Sequence, residues 1–363
     1  IEVEEKTKTS NLVDNTSATA LVQTSLGGDG ERFLVRAGTK IFTREDTPGT
    51  DWSSLSAPSG YIPTFLAGIN TDSSTDGIVE EVYAVFFDSN TDRDFVYRLV
   101  ADGGSLSWEV VDPSIWNPTD GERITGFESV GDRILMASTD GQLYSLGSGE
   151  SSLVDLGEFT SDERGIRAVA TNAAGVTVVV GDSAVHFTAN AGTAGSLNSA
   201  DTAIETGRGV AVFPSSLESG DPADTFLLVT LDGRLYTSGD GDTWQEADGN
   251  IPNRSFSGVA WVDHRELLAV GTLSYEGNDI DDTTNARGYY EVSGSSSGSS
   301  YTLDFDNSDI SDNYDGSELA TSGIARFVYY PSENTLFALT HGKGLWRTSY
   351  EADVEGGPDW VWE

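Results

Sequence analysis

The sequence contains no cysteine, one methionine, three histidines and only four lysines among its 363 residues. Without cysteine the chain forms no disulfide, offers no thiol nucleophile and builds no cysteine-ligated zinc site. No apolar run approaches the roughly 20 residues that a membrane-spanning helix needs, so membrane insertion is not expected. No 3.6-residue hydrophobic periodicity is sustained, which argues against a helical domain.

The shortage of lysine is part of a wider shortage of positive charge. Lys and Arg together number 20 against 59 Asp and Glu, giving a formal net charge of −39 at pH 7. Such a chain repels itself in dilute buffer, but at 1 M salt the Debye length falls to about 3 Å and screens most of the repulsion. Phosphate binding needs clustered cations, so a nucleic-acid partner is not expected.

Acidic excess combined with scarce lysine resembles the proteins of extreme halophiles, above all haloarchaea and their viruses. The alternative is an ordinary acidic extracellular protein. We therefore expect an extracellular or virion-surface protein that works in a high-salt environment.

The clearest local pattern runs from Phe226 to Trp244. Phe226–Leu231 is apolar and β-prone, and Asp232-Gly233 predicts a tight turn because Gly accepts positive φ without steric cost. Arg234–Thr237 is the returning strand. A second turn follows and ends on the large aromatic side chain of Trp244.

This segment resembles the Asp-box hairpin of sialidase-type (BNR-repeat) β-propellers, whose consensus is Ser/Thr-x-Asp-x-Gly-x-Thr-Trp. The residues assigned to the box are Thr237, Asp240, Gly241, Thr243 and Trp244. Position three of the consensus is Gly239 here, and Asp240 follows it. The resemblance implies a structural element of a propeller and no particular activity.

A unit of the same kind recurs along the chain: a strand of small apolar residues, a central hairpin, and an outer strand. The aromatic residues that end the hairpins recur at intervals of 43 to 56 residues, which is typical of propeller blades with variable loops. They are Phe42, Tyr97, Tyr144, Phe187, Tyr236, Tyr290 and Trp346. The predicted inner strands are Ala18–Gln23, Tyr61–Ile69, Ile124–Ser129, Ile166–Thr171, Val210–Phe213, Val259–Val262 and Ile324–Tyr330.

We therefore predict an all-β chain that folds as a seven-bladed β-propeller of four-stranded antiparallel blades. The propeller domain would span residues 16–363, with residues 1–15 as an N-terminal extension or peripheral strand. Two inserts interrupt the sixth unit: the acidic Ser274–Ala286 and the low-complexity Ser293–Ser300, which we expect to be flexible. Long loops on a rigid scaffold often carry binding functions; a solvated halophilic loop is the alternative.

Catalytic chemistry is not readable from the sequence. His186, His264 and His341 fall in different units, and no Ser/His/Asp spacing is present. We predict no catalytic residue, and we expect the histidines to be structural.

A metal site is suggested by alternating side-chain oxygens at Asp88, Asn90, Asp92 and Asp94, in a predicted hairpin turn. Ca²⁺ takes six to eight oxygen ligands and suits such a pattern, although Arg93 stands where comparable calcium loops have Gly. A chance match in so acidic a chain is the alternative. Ca²⁺ is the one cofactor for which the sequence offers a candidate.

Six arginines lie at or near the starts of the predicted inner strands in five successive blades. They are Arg123, Arg164, Arg167, Arg208, Arg254 and Arg326. Inner strands begin at the loop-bearing face, so these side chains would ring the mouth of an axial funnel. The resemblance to sialidases, which hold a substrate carboxylate with three Arg, makes them candidate ligand-binding residues. The alternative is that each pairs with a neighbouring acid, such as Asp162 or Glu163.

Three functions remain open. We expect a non-catalytic recognition or adhesion module that binds a cell-surface glycan or protein, or an assembly module that contacts neighbouring chains in a larger particle. The rival is a sialidase-like glycan hydrolase or lyase. Three arginines converging on one carboxylate beside a Tyr–Glu pair would favour the enzyme. Arginines already paired with acids would favour the binding module.

Overall fold

The computed structural model describes residues 17–27, 30–46, 50–71, 78–111, 116, 121–159, 165–216, 221–273, 288–297, 300–305, 323–341, 344–349 and 361–362. These residues form seven sheets, and each sheet takes its strands from one continuous part of the chain. The predicted all-β, seven-bladed propeller is confirmed.

Twelve strands make the first three blades, four strands to a blade and in chain order from the axis outward. They are β1 (Ala18–Thr24), β2 (Arg32–Ala37), β3 (Lys40–Glu45) and β4 (Ser53–Leu55); β5 (Tyr61–Ile69), β6 (Glu81–Asp88), β7 (Arg93–Asp102) and β8 (Ser105–Val110); β9 (Ile124–Val130), β10 (Arg133–Ser138), β11 (Gln142–Gly147) and β12 (Val154–Glu158).

The remaining four blades follow the same order, except that β21 precedes the inner strand of blade six in the chain but lies at the outer edge of that blade. Their strands are β13 (Ala168–Thr171), β14 (Thr177–Val180), β15 (Val185–Thr188) and β16 (Asn198–Ser199); β17 (Gly207–Pro214), β18 (Ala223–Thr230), β19 (Leu235–Ser238) and β20 (Gln245–Glu246); β21 (Asp248–Gly249), β22 (Phe256–Val262), β23 (Leu267–Thr272), β24 (Tyr289–Ser297) and β25 (Ser300–Phe305); β26 (Ile324–Tyr330), β27 (Thr335–Thr340), β28 (Leu345–Ser349) and β29 (Val361–Trp362).

Blade six differs from the prediction in two ways. The short β21 pairs in parallel with β25 and gives this blade a fifth strand. The Ser/Gly run expected to be a flexible insert instead extends a hairpin, because Ser293–Ser297 belongs to β24 and pairs antiparallel with β25. The acidic insert Ser274–Ala286 lies outside the described residues.

The hydrophobic core is divided into seven clusters, and each cluster lies between two neighbouring blades. Phe33 of blade one and Phe337 of blade seven, for example, pack with ring centroids 5.2 Å apart. The second strand of a blade is covered on both faces, so β14 and β27 are buried along their whole length. This explains why the sequence shows continuous apolar runs there instead of alternation.

The inner strands surround the axis and contact one another in sequence, and β26 contacts β1 to close the ring. Close approach requires small residues. A Cβ atom on Gly126 would lie 2.3 Å from the backbone nitrogen of Ile166 in the next blade. Within the described ranges no strand is exchanged between blades one and seven; packed side chains and a single parallel backbone bridge between Ser17 and Gly344 close the ring. No helix in this part of the chain is long and apolar enough to cross a bilayer.

Candidate functional site

A cavity of about 490 Å³ lies on the propeller axis. Residues from all seven blades line it, most of them at the start of an inner strand. One lining residue from each blade in turn is Thr19, Phe65, Phe127, Ile166, Arg208, Ser257 and Arg326. We call this cavity the axial channel.

A repeated irregularity turns side chains toward the channel. In six of the seven blades the pairing between the inner strand and its neighbour shifts by one residue near the start of the inner strand. A bulge of this kind leaves one residue unpaired and re-aims its side chain. The bulged residues are Thr19, Thr64, Thr125, Arg208, Ser257 and Ala325. All of these except Thr125 line the channel.

Arg36 reaches the channel from the second strand of blade one. It lies opposite Ala20 of β1, whose small side chain leaves room for the longer one. The guanidinium donates to Thr19 Oγ1 at 2.8 Å and to the carbonyl of Pro63 at 3.4 Å. No ion pair between described residues involves it. Burial lowers the pKa of Arg36, but an arginine remains protonated in proteins.

Two further channel arginines share one carboxylate. Arg167 donates to both oxygens of Asp182, at 2.7 Å from Nε and 2.6 Å from Nη2. Arg208 donates to the same carboxylate at 2.8 Å. The hydrogen bond from Arg167 is the largest cause of a lowered pKa at Asp182, and the charges of Arg167 and Arg208 act in the same direction.

The fourth channel arginine makes an ion pair across the axis. Arg326 Nη1 of blade seven lies 2.5 Å from Glu128 Oε2 of blade three. These two blades are not neighbours in the ring, so the pair spans the channel. Glu128 lies four residues after the start of β9, whereas Arg326 directly follows the bulged Ala325 of β26. The charge of Glu128 is the largest cause of a raised pKa at Arg326.

The remaining predicted arginines are not brought to the channel. Arg123 and Arg254 are absent from its described lining, and Arg164 lies outside the described residues. Arg123 instead bonds Asp94, with Nε 2.8 Å from Oδ2, and its guanidinium lies 3.9 Å from the Phe87 ring centroid. The charge of Arg123 is therefore paired with an acid, which is the alternative that the sequence analysis left open for these arginines.

That pairing also involves the predicted calcium ligands. Asp94 is fully buried, and its Oδ2 accepts a further bond from the Ile124 backbone at 2.8 Å. Asp88 Oδ1 accepts from the backbone and side chain of Asn90, and Asp92 Oδ1 lies 3.4 Å from Arg123. Among the described residues, the three carboxylates do not gather around one point. Calcium binding at this turn stays a prediction.

The turn before Trp244 is held by Asp240. Its Oδ1 accepts from the backbone nitrogens of Asp242 at 3.0 Å and Thr243 at 2.9 Å. Trp244 Nε1 donates to the carbonyl of Gly241, which has φ +77°.

Ser238, not Thr237, supplies the hydroxyl of this turn. Its Oγ accepts from the Gly241 backbone at 2.9 Å, and Thr237 is a buried residue of β19. The whole element packs between blades four and five through Trp244, away from the channel.

The histidines and tyrosines bear on the enzyme hypothesis. His186 is buried against Phe159, with ring centroids 5.0 Å apart. His341 lines the channel, where burial lowers its pKa and favours the neutral ring. No tyrosine belongs to the described lining of the channel. A Tyr–Glu pair occurs elsewhere, at Tyr83 and Glu81, whose oxygens are 2.8 Å apart, and Tyr83 lines a separate pocket.

The described channel combines four guanidinium groups, those of Arg36, Arg167, Arg208 and Arg326, with the carboxylates of Glu128 and Asp182. It therefore has a net charge of +2 inside a chain of −39. Of these four guanidinium groups, that of Arg36 is the one with no ion pair to an acid among the described residues. Arg36 was not among the predicted channel residues because it lies on a second strand; its position opposite the small Ala20 was the available signal.

No known protein family matches the sequence, and no curated protein matches it. Solved structures match its fold. YCF48 from Cyanidioschyzon merolae gives a TM-score of 0.58 at 12% identity, covering 92% of this chain and 96% of that one. YCF48 bound to D1 peptide gives 0.57 at 12% identity, with 94% of each chain covered. PorZ, a surface component of the type-IX secretion system of Porphyromonas gingivalis, gives 0.52 at 12% identity; the match covers 95% of this chain but 39% of PorZ. At such identities the likeness shows the propeller fold alone.

Proposed function

We propose that the protein is a non-catalytic recognition module that binds an acidic segment of a protein partner in its axial channel. The observation that carries the proposal is Arg36, a half-buried guanidinium without a carboxylate partner among the described residues. Acids outnumber bases about three to one in the chain, so leaving a channel arginine unpaired is not the expected arrangement. A carboxylate brought by a partner would complete it, because Arg binds carboxylates bidentately.

One structural neighbour supports a peptide as the ligand. The structure of YCF48 bound to D1 peptide is a propeller of similar fold with a peptide as its partner. We extend that kind of partner, and not that particular peptide, to this chain. The channel volume of about 490 Å³ is also large enough to admit side chains of an extended segment.

We place this recognition outside the cell or on a virion surface, in high salt. A net charge of −39 is best tolerated when the Debye length is short. The same screening weakens long-range attraction between exposed charges, whereas a contact inside a partly enclosed channel is screened less. A recessed arginine is therefore a suitable donor for acid recognition in brine.

A sialidase-like hydrolase is the second candidate, and the arginine pattern counts against it. Arg167 and Arg208 already share Asp182, and Arg326 already bonds Glu128. The pKa of Tyr83 is raised, first by burial and then by its bond to Glu81, which disfavours a phenolate nucleophile.

The test is the binding of a fluorescent hexaglutamate peptide, measured by anisotropy in 2 M KCl. Arg36→Gln removes the unpaired charge, and we expect affinity to fall at least tenfold, since hydrogen bonds to charged groups contribute about 1.5–3 kcal/mol. Arg32→Gln is the matched control, because it removes the same charge from the same blade at a residue that pairs with Glu45. The control should bind as the wild type does.

Three outcomes would overturn the proposal: no binding by the wild type, equal binding by Arg36→Gln, or equal losses in both variants. Release of sugar from a sialylated or uronate-containing glycan, abolished by a channel variant, would favour the enzyme instead. The high-salt assignment has its own test, since the melting temperature should rise between 0.1 M and 3 M KCl. An unchanged melting temperature would contradict it.

A further inference from the structure

Three acidic side chains meet where the ring closes. Glu31 precedes β2, Asp46 follows β3, and Glu333 lies in the 3₁₀ turn Pro331–Glu333 between β26 and β27. Their carboxylates each offer an oxygen, and these oxygens all lie within 4.8 Å of one another. Two blades thus contribute to one half-buried cluster, which we call the acidic seam.

No positive side chain neutralises the acidic seam within the described part of the chain. None of the ion pairs found there involves Glu31, Asp46 or Glu333. The adjacent Arg32 is directed to Glu45. Burial raises the pKa of the Glu333 carboxyl, and Asp46 and Glu31 raise it further. Three negative charges so close together repel unless a proton or a cation lies among them.

A buried amide points into the same cluster. Gln23 is 0% exposed, and its Nε2 lies 2.7 Å from both Glu31 Oε2 and Glu333 Oε1. Its Oε1 is buried and has no hydrogen-bond partner among the described residues. An unsatisfied buried oxygen costs free energy. The two ends of a glutamine amide exchange by a half-turn, and that turn would direct Oε1 at the carboxylates, where only a cation makes it favourable.

We propose that the acidic seam is a Ca²⁺ site formed by Glu31, Asp46, Glu333 and Gln23. All four ligands are oxygens, the type that Ca²⁺ prefers. Two oxygens bound to one Ca²⁺ lie at most about 5.2 Å apart at its usual bond lengths, and the three carboxylate oxygens, all within 4.8 Å of one another, meet this limit. Water would complete the six to eight ligands, because the three carboxylates are only half buried.

The place of the site suggests what the ion does. Blade one begins the described propeller, blade seven ends it, and no exchanged strand joins them within the described residues. The two blades meet through a hydrophobic cluster that includes Phe33, Tyr330 and Phe337. A cation bound by two segments of blade one and one of blade seven would fasten this junction against opening.

The experiment measures thermal unfolding of the full chain in 1 M NaCl, with either 1 mM CaCl₂ or EDTA. The salt suppresses diffuse cation binding to the acidic surface. Calcium should raise the melting temperature of the wild type by roughly 3–5 °C. Glu333→Gln should lose this response. In EDTA it should melt at or above the wild-type temperature, because one repelling charge is gone. The order of the two proteins therefore reverses between the two buffers.

Glu45→Gln is the matched control, since it removes the same charge one residue from Asp46 but outside the seam. It should keep the full response to calcium. Calorimetric titration should give one site in the wild type, with at least tenfold weaker affinity in Glu333→Gln. The proposal fails if calcium leaves the wild type unchanged, if Glu333→Gln responds equally, or if MgCl₂ stabilises as strongly as CaCl₂.

Discussion

The first blade carries opposite charges at its two ends, and at neither end do the described residues supply the counter-charge. At the channel end, the described partners of Arg36 are a hydroxyl and a carbonyl. At the other end, Glu31 and Asp46 meet Glu333 of blade seven. Blades three to five and the seventh blade differ, because their channel charges are paired with one another.

The difference separates charges that are paired within the described part of the fold from charges that have no partner of opposite sign there. In a chain with few cations, a paired arginine such as Arg208 is readily explained by the abundance of acids. An arginine without an acid, or three acids within 4.8 Å of one another without a base, is not explained in that way. We interpret the two ends of blade one as sites for ligands of opposite charge. Paired charges provide the reference against which this interpretation is tested.

The largest effect is expected at a buried paired charge. Asp94→Ala leaves the Ile124 backbone nitrogen without its acceptor and removes the shorter of the two carboxylate contacts of Arg123, which keeps its contact with Asp92. Removing one partner of a buried pair should lower the free energy of unfolding by about 3 kcal/mol, measured with denaturant in 2 M KCl. The exposed Asp92 is the control, and Asp92→Ala should cost less than about 0.5 kcal/mol. If Asp94→Ala lowered the free energy of unfolding by less than about 1 kcal/mol, paired charges could not serve as the reference for the unpaired ones.

The second effect separates two arginines in the same channel. Arg326→Met leaves Glu128, which is 17% exposed, without a counter-charge and should cost about 2 kcal/mol. Arg36→Met leaves no carboxylate behind, so the free energy of unfolding should change by less than about 0.5 kcal/mol. Both are measured by denaturant unfolding without peptide. Equal losses of unfolding free energy would show that Arg36 has a structural partner, and the distinction between paired and unpaired channel arginines would be wrong.

Most of the fold was predictable from the sequence, because a blade repeats a short pattern. The predicted inner strand Ile324–Tyr330, for example, coincides with β26. The prediction was wrong in blade six, where the Ser/Gly composition of Ser293–Ser300 indicated a flexible insert. Backbone pairing between β24 and β25 decides that structure, and composition carries no information about a pairing partner.

The site was less predictable, because ion pairs join residues far apart in the chain. Arg123 and Asp94 were assigned to two different sites, a funnel and a metal loop, yet they bond each other across 29 residues. Periodicity places a residue on a strand but does not say which neighbour its side chain meets. The acidic seam combines Glu31 with Glu333, a relation that only ring closure creates.

A positive side chain placed in the acidic seam should replace the ion. Gln23→Lys puts an ammonium beside Glu31 and Glu333 in place of an amide with an unsatisfied oxygen. In EDTA we expect a gain of roughly 1 kcal/mol in the free energy of unfolding, with loss of the calcium response. Gln245→Lys, on the exposed β20, is the control for added positive charge. Equal gains in both variants would mean that only the net charge matters.

The smallest effect concerns the pH dependence of a paired carboxylate. The pKa of Asp182 is lowered in the folded protein, chiefly by its hydrogen bond from Arg167. Its contribution to stability is therefore complete above the unfolded-state pKa of about 3.9 and is lost as the pH falls through the lower folded-state pKa. Since Asp182 is 25% exposed, solvent screening keeps this contribution below about 1 kcal/mol.

Asp182→Asn removes the titrating group, so its unfolding free energy should change less than that of the wild type below pH 4. Denaturant unfolding at half-unit steps from pH 6 to pH 3, in 2 M KCl, measures the difference. Because no described carboxylate is paired with Arg36, the unfolding free energies of Arg36→Met and the wild type should change in parallel over the same pH range. If Arg36→Met diverged as Asp182→Asn does, an acid would be paired with Arg36 after all, and the two ends of blade one would no longer differ from the paired blades.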